Sequence, residues 1–487
     1  MQRRDFIKAG TAAGAIAGFE YAMPMRADAY ATSEGINIGE GLYYLEQGKA
    51  KNTMPAIRRE ILDNPKAVFI IDTNVAASRD NRGFYTSARA QLETEGKRVA
   101  KLLLEKGSKR GGSTMLRPNF TDVPDSVLSP VCGINTSCDF VAGFNDGLRE
   151  LGNTNTIVGT RGAGAVTHRK NGIYDVLDAH GMKMMEARYK KFQHYNKKEL
   201  NWHRVEGKPM VWKRIPTYRP IGDEDNFFIN MPKLKCHNLG LTTLSIKNIQ
   251  GAVPTGYGHY CNAWAALEFY CKHTYMIDFK KNFVKDYYQN VEAAFLKHRA
   301  AGFKHWDVEG SYDVYQKNGG WEKFKQIKND IDKVREFMSD VKSDDSKGAT
   351  RGSIPRLLMW DEQWCQRALD SASAIKPDLN VVEGVIGRDG SGFDTGQDEL
   401  ANVVLAGLSM VEVDTIGTHL MGHDPKELYY TRIAKERGIG ECDPEKIAVY
   451  HISENGITRV KNINALKRVK LGVNLHTWSE TNKRLFW

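Results

Sequence analysis

Short apolar runs rich in β-branched residues alternate with longer amphipathic segments along much of the chain. The short runs predict β-strands, and segments with apolar residues at every third or fourth position predict α-helices. The predicted strands are KAVFIIDTN (66–74), TNTIVGT (154–160), NFFIN (226–230), LTTLSI (241–246) and LNVVEGVIG (379–387). The predicted helices are 87–107, 138–152, 174–192, 361–375 and 401–407. Strands that alternate with helices indicate an α/β fold with a largely parallel sheet flanked by helices.

A region rich in lysine and aromatic residues interrupts this alternation. Within it, WEKFKQIKNDIDKVREFMSDV has an apolar residue at every third or fourth position, which predicts an amphipathic helix whose aromatic stripe faces a core. We therefore predict a two-lobed protein. The α/β lobes are residues 32–260 and 351–487, and a helical insertion of residues 261–350 lies between them.

Residues 1–31 have the pattern of a targeting segment and are set apart from the fold. Arg3 and Arg4 form a twin-arginine pair followed by FIK, a stretch rich in alanine and glycine, and Ala-x-Ala sites that end at Ala29 and Ala31. This pattern predicts a twin-arginine signal peptide. The expected partner is therefore the twin-arginine export machinery, and the expected location is periplasmic or extracellular. No later run reaches the roughly 18 apolar residues of a membrane span.

The 487-residue chain has 69 Lys and Arg against 59 Asp and Glu, a net charge of +10. The basic residues are spread along the chain, without an arginine-rich tract or nucleic-acid motif, so we predict no nucleic-acid partner. An excess of positive charge is compatible with small anionic substrates.

The stretch PKLKCHNLGLTTLSIKNIQGAVPTGYGHYC, residues 232–261, concentrates basic groups among apolar ones. If Lys233, Lys235 and His237 are extended, their side chains share one face and form an anion site; a solvated edge strand is the alternative. Lys247 ends the next predicted strand, where burial makes a lysine a candidate base or covalent anchor. We predict catalytic roles for Lys235, His237 and Lys247, and substrate binding by Lys233 and Asn248.

The loop RDGSGFDTG, residues 388–396, is the second candidate region because it follows a predicted strand. Ligands of α/β proteins bind beyond the carboxyl ends of the strands, and glycine lets backbone N–H groups approach an anion. We predict that Arg388, Asp389 and Gly392 bind substrate and that Asp394 acts as an acid or base. Asn119, in LRPNFTD, is a further predicted substrate-binding residue. For the loop of residues 388–396, a plain surface loop without a ligand is the alternative.

Seven cysteines occur without a CxxC pair or ferredoxin spacing, which argues against a locally bound iron–sulfur cluster. Cys236-His237 and His259-x-Cys261 together offer sulfur and nitrogen ligands suited to zinc or another borderline metal. A divalent metal bound by His259 and Cys261 is the candidate cofactor. A disulfide between Cys236 and Cys261 is an equally open reading.

One acidic residue, Asp414, stands within the apolar helical run VEVDTIGTHL. A buried carboxylate needs hydrogen-bonding partners. We therefore predict a structural hydrogen bond for Asp414, with an acid–base role as the alternative.

The chain resembles the family called domain of unknown function 362 in five motifs that follow one another in order. They are LRPNFTD, VCGINTSCDFVAGFNDGLRELG, NFFINMPKLKCHNLGLTTLSIKNIQGAVP, VVEGVIGRDGSGFDTGQDELANVVLAGLSMVEVDTIGTHLMG and RGIGECDPEKIAVY. The resemblance covers roughly residues 60–260 and 350–450. The chain departs at Arg117, where the family usually has lysine, and at Glu383, where it often has aspartate. The family name implies no reaction.

A second similarity concerns His237, Lys247 and His259, which stand ten and then twelve residues apart. This order is similar to that of the nickel-pincer lactate racemases, in which a lysine tethers the cofactor between two functional histidines. The resemblance implies that His237 is a general base, Lys247 an anchor and His259 a metal ligand.

These observations favour an exported enzyme that acts on a small or carbohydrate-like anionic substrate by Lys/His acid–base chemistry, with metal or cofactor assistance as an option. The competing hypothesis is a non-enzymatic periplasmic protein that binds a ligand or serves a redox partner. Turnover discriminates between them.

Overall fold

The computed structural model describes residues 35–121, 123, 129, 131–160, 165–187, 196–207, 209, 214–237, 241–254, 365, 368–390, 396–426, 428–474 and 484–485. The predicted signal peptide and the predicted helical insertion lie outside these residues. None of the helices within them is long and apolar enough to cross a membrane.

The helices and strands alternate along the chain as expected for an α/β protein. The α-helices are α1 Ile38–Gly48, α2 Arg59–Leu62, α3 Arg89–Leu103, α4 Cys138–Glu150, α5 Ala165–Lys170, α6 Ile173–Ala179, α7 Ser245–Asn248, α8 Met410–Leu420 and α9 Tyr429–Glu436. The strands are β1 Ile36–Asn37, β2 Thr53–Ile57, β3 Val68–Asp72, β4 Leu104–Arg110, β5 Ser113–Pro118, β6 Thr156–Thr160, β7 Lys183–Glu186, β8 Leu200–Arg204, β9 Arg214–Tyr218, β10 Asn226–Met231, β11 Lys233–His237, β12 Leu241–Thr243, β13 Leu379–Arg388, β14 Asp398–Gly407, β15 Val449–Ser453, β16 Gly456–Arg459, β17 Val473–Asn474 and β18 Arg484–Leu485.

Twelve of the described strands form one mixed sheet in the order β1-β7-β6-β5-β10-β13-β14-β3-β15-β16, with β11 beside β13 and β12 beside β11. The run from β1 to β13 is parallel throughout. Strands β14 and β16 run antiparallel to their neighbours. A mostly parallel sheet with flanking helices confirms the predicted fold class.

Both faces of the sheet are covered, which explains why its central strands read as continuous apolar runs rather than as alternating ones. Met115 of β5 packs in the core cluster on one face, together with residues of α1 and α8. Its neighbour Leu116 packs in the cluster on the other face, together with residues of α3 and α4. The two clusters are thus separated by the sheet.

Strands from both predicted lobes hydrogen-bond within this one sheet. Ile229 of β10 pairs with Leu379 of β13, although the predicted insertion separates them in sequence. The carboxyl end of β10 thus lies beside the start of β13. Strand β11 then runs beside the rest of β13 as far as Arg388, so the candidate residues that follow β11 and β13 can approach one another.

One prediction of secondary structure was wrong, and two were right for only part of their length. The segment 401–407, predicted to be helical, belongs to β14, where Val403 and Val404 pair with β3. The predicted helix 174–192 stops at Ala179, and Lys183–Glu186 form a strand beside β6. The predicted strand 241–246 ends at Thr243, and a helical turn begins at Ser245. Pairing with distant strands overrides a local helical pattern at the first two positions.

Candidate functional site

The candidate site lies where the chain stops pairing with β5, at the end of β10, and continues as β11 beside β13. Met231, the last residue of β10, is the partner of Pro118 in β5. After Pro232 the chain continues as β11, which pairs with β13 instead. Strand β11 thus extends beyond the end of β5, at the carboxyl edge of the parallel strands. Ligands of α/β folds bind at this edge.

Strand β11 confirms the predicted extended conformation of Lys233–His237. Leu234 and Cys236 alternate with the basic residues and pack in a hydrophobic core cluster. Lys233, Lys235 and His237 therefore share the opposite face. All three side chains are buried, which rules out the alternative of a solvated edge strand.

Lys233 forms a buried ion pair with Glu383 of β13, and both side chains are 0% exposed. Ser137 completes this arrangement, because its amide N and Oγ lie 3.0 Å and 3.1 Å from Glu383 Oε2. Lys233 Nζ also donates to Ser137 Oγ at 3.3 Å. This ion pair does not test the substrate-binding role predicted for Lys233.

Lys235, His237 and Lys247 form what we call the basic cluster. Lys235 Nζ donates a hydrogen bond to Ile134 O at 2.6 Å. Burial lowers the pKa of His237 well below its usual value, and the positive charges of Lys247 and Lys235 lower it further. His237 is therefore a neutral imidazole at pH 7, in an electropositive environment that favours a bound anion.

Lys247 stands on the short helix α7 rather than at the end of a strand. Asp414 of α8 holds the start of this helix, because its two carboxylate oxygens accept from Ser245 N at 2.7 Å and Ile246 N at 2.9 Å. The predicted structural hydrogen bond of Asp414 is thereby confirmed. Burial raises the pKa of Asp414 to about 7, and the two amide hydrogen bonds oppose this rise.

Asn119 and Asn248 contact each other at this edge, with Asn119 Nδ2 donating to Asn248 Oδ1 at 3.0 Å. Asn248 immediately follows Lys247 on α7. The two predicted substrate-binding asparagines thus adjoin the basic cluster. Their positions in the sequence did not indicate that they contact each other.

The loop that follows β13 begins next to the basic cluster, since Arg388 is the strand partner of Lys235. Arg388 Nη1 donates to Asp398 Oδ1 at 2.8 Å, in a pair that is almost fully buried. Asp389 Oδ1 accepts from Gln397 N at 2.6 Å and so ties the two ends of the loop together. Gly392 and Asp394 lie outside the described residues, and their predicted roles are not tested.

The proposed metal ligands His259 and Cys261 also lie outside the described residues. Cys236, the other predicted sulfur ligand, faces away from His237: its Sγ lies 3.0 Å from Leu471 O and 3.9 Å from His423 Nε2. Adjacent residues of a strand point to opposite faces, so Cys236 and His237 do not converge on one point.

Several other residues at this edge could hardly be recognised as part of the site from the sequence pattern. The segment 133–137 packs against the end of β13, where a Cβ on Gly133 would lie only 2.6 Å from Gly387 O. Arg117 Nη1 donates to Gly159 O at 3.3 Å beside β6. His168 is buried nearby, and burial together with the charge of Arg117 lowers its pKa to about 4. The sequence indicated only that Arg117 stands where the family usually has lysine.

Comparison with family models identifies the family of the chain. A family model described as Domain of unknown function (DUF362) matches residues 115–419, more than half of the chain. The match includes β5, β11, α7, β13 and α8, which carry the residues described above. No curated protein matches the chain, and no solved structure matches it. The chain therefore belongs to the DUF362 family, the family named for a domain of unknown function.

Proposed function

We propose that the protein is an enzyme that binds a small anionic substrate at the basic cluster and moves a proton with His237. The observation that carries this proposal is the burial of Lys235, His237 and Lys247 together, with both lysines lowering the pKa of the histidine. Several positive charges close together attract an anion, and the low dielectric of a buried site strengthens that attraction.

The chemistry follows from the protonation state of His237. A neutral imidazole has a nitrogen lone pair and can accept a proton from the substrate. A bound anion adds negative charge beside the ring and raises the pKa of His237, which makes it a stronger base only when substrate is present. Lys235 and Lys247 would hold the anionic group and stabilise negative charge that develops as the proton leaves.

Exchange of substrate hydrogen with solvent deuterium tests the proposal. The protein is incubated in D2O with glycerate, malate, tartrate, 2-phosphoglycerate and glucuronate, and loss of each C–H signal is followed by proton NMR. We expect catalysed exchange with at least one anion. His237→Gln is expected to lower its rate about a hundredfold or more, because general base catalysis typically contributes that much. Lys235→Met and Lys247→Met are expected to weaken binding.

The control variant is Lys376→Met, since Lys376 forms an exposed ion pair with Glu206 and should leave exchange unchanged. Circular dichroism and thermal unfolding show which variants keep the fold. Exchange that survives His237→Gln would contradict the proposal. Anion binding by the wild type without exchange would instead favour the alternative of a non-enzymatic binding protein.

We also propose export by the twin-arginine pathway, which rests on the sequence of residues 1–31. Replacing Arg3 and Arg4 together with lysine should keep the full-length chain in the cytoplasm of a bacterial host, because the paired guanidinium groups are the signature of that pathway. Cell fractionation measures the distribution. Arg26→Lys is the matched control, and undiminished periplasmic accumulation of the double variant would refute the proposal.

A further inference from the structure

Four asparagine side chains form a continuous hydrogen-bonded chain from the interior of the sheet to the basic cluster. In each link the amide nitrogen of one asparagine donates to the amide oxygen of the next. The links are Asn119 to Asn248 at 3.0 Å, Asn248 to Asn230 at 2.8 Å and Asn230 to Asn380 at 2.9 Å. The chain runs from Asn119, the residue after β5, through α7 and β10 to β13.

Backbone carbonyl groups determine the direction of this chain. Asn380 Nδ2 donates to Gly407 O and Leu408 O, each at 3.2 Å. Asn230 Nδ2 also donates to Ser245 O at 3.1 Å, and Asn248 Nδ2 also donates to Arg117 O at 2.9 Å. A carbonyl oxygen only accepts hydrogen bonds, so the nitrogen of each amide must face its carbonyl. Three separate backbone anchors thus orient the amides in the same direction.

The orientation of Asn119 follows from its neighbour. Because Asn248 uses its nitrogen for Arg117 O and Asn230, it presents its oxygen to Asn119. Asn119 must therefore donate with Nδ2 and turn Oδ1 away from the chain. That oxygen is buried and has no hydrogen-bond partner among the described residues. A buried amide oxygen without a donor is unfavourable, and a ligand that supplies one removes the penalty.

Asn119 is linked to the basic cluster on two sides. Its side chain contacts Asn248, which follows Lys247, and its backbone oxygen accepts from Thr136 N at 3.1 Å. Thr136 is two residues from Ile134, whose oxygen accepts from Lys235 Nζ. A ligand amino group would be protonated at neutral pH and repelled by Lys235 and Lys247. A hydroxyl group donates a hydrogen bond without carrying charge. The two features together select one chemical class of ligand.

We infer that the substrate is a hydroxylated anion, whose acidic group lies against Lys235 and Lys247 and whose hydroxyl group donates to Asn119 Oδ1. This inference rests on the proposed function, because it assigns the anion to the basic cluster. It adds that an anion of the same size without a hydroxyl group is a poor ligand, since it leaves the Asn119 oxygen buried and unsatisfied.

Matched pairs of anions test the inference on the unmodified protein. Isothermal titration calorimetry compares malate with succinate, glycerate with propionate, and gluconate with hexanoate. We expect the hydroxylated member of at least one pair to bind about tenfold more tightly or better. Equal binding of both members in every pair that binds would overturn the inference.

The variant Asn119→Leu removes the acceptor and should abolish the discrimination, with the affinity for the member without a hydroxyl group changing less than about threefold. Asn455→Leu, in the exposed turn between β15 and β16, is the matched control and should keep the discrimination. Discrimination that survives Asn119→Leu in a folded variant would overturn the role of Asn119.

The outcomes also separate this inference from the proposed function. Binding of anions without preference, accompanied by deuterium exchange that depends on His237, would overturn only the hydroxyl contact. Failure of every anion to bind the wild-type protein would overturn the anion site and the hydroxyl contact together.

Discussion

Replacing Lys233 with methionine is expected to lower the free energy of unfolding by about 3–5 kcal/mol, which is typical when one partner of a buried ion pair is removed. Lys233 and Glu383 are both 0% exposed, so the carboxylate would stay buried without its counter-ion. Glu383 would still accept from the amides of Ser137 and Ile386, at 3.0 Å and 3.2 Å. These hydrogen bonds reduce the loss but do not replace a charge. Urea unfolding of the two proteins at pH 7 measures the effect.

Two further variants show whether the loss comes from the unpaired charge. The double variant Lys233→Met with Glu383→Gln removes both charges while keeping an oxygen for the Ser137 amide, and it should recover a substantial part of the stability. Lys376→Met removes one partner of an exposed pair and should cost less than about 1 kcal/mol. A loss for Lys233→Met no larger than that of Lys376→Met would show that the buried pair contributes little.

The stability contributed by Asp414 is expected to fall by about 4 kcal/mol as the pH rises from 4 to 8. Burial raises the pKa of Asp414 from 3.8 to about 7 in the folded protein. A group with a raised folded pKa binds its proton more tightly in the folded state. Its contribution is therefore fully present below pH 3.8 and is lost as the pH rises through about 7. A shift of about three pKa units corresponds to about 4 kcal/mol.

The comparison with Asp414→Asn isolates this contribution, because asparagine does not titrate and the other ionisable groups are common to both proteins. The difference in free energy of unfolding, wild type minus variant, should decrease between pH 4 and pH 7 and become constant above about pH 8. Denaturant unfolding at each pH measures it. A difference that does not change with pH, or that increases, would show that the two amide hydrogen bonds hold the carboxylate ionised throughout.

The same titration bears on the proposed site, since Asp414 anchors the helix that carries Lys247. Tyr430 is packed in the same region, and burial, together with the charge of Asp414, raises the pKa of its phenol well above the usual value. Tyr430 therefore stays neutral over the range in which Asp414 titrates.

Much of the fold could be predicted from local patterns. The apolar runs around Phe69, Val158, Phe228 and Val382 are strands of the central sheet, because a strand covered on both faces must be apolar along its whole length. The residues near Val99 form a helix with one apolar face that packs on the core, and this pattern is also visible in the local sequence. The helix predicted for 401–407 was wrong because this segment pairs with strands that lie elsewhere in the chain.

Residue patterns alone indicate the α/β class, the family, and the concentration of Lys235, His237 and Lys247 within one short stretch. The partners of each basic group follow from the three-dimensional fold. Lys233 and Glu383 are 150 residues apart, and Lys235 meets Arg388 through strand register. The fold also sets the direction of the asparagine chain, which depends on backbone carbonyls at three separate places in the chain, near Arg117, Ser245 and Gly407. Local patterns reflect burial of neighbouring residues, whereas partners for charge and hydrogen bonding are set by which distant strands pair.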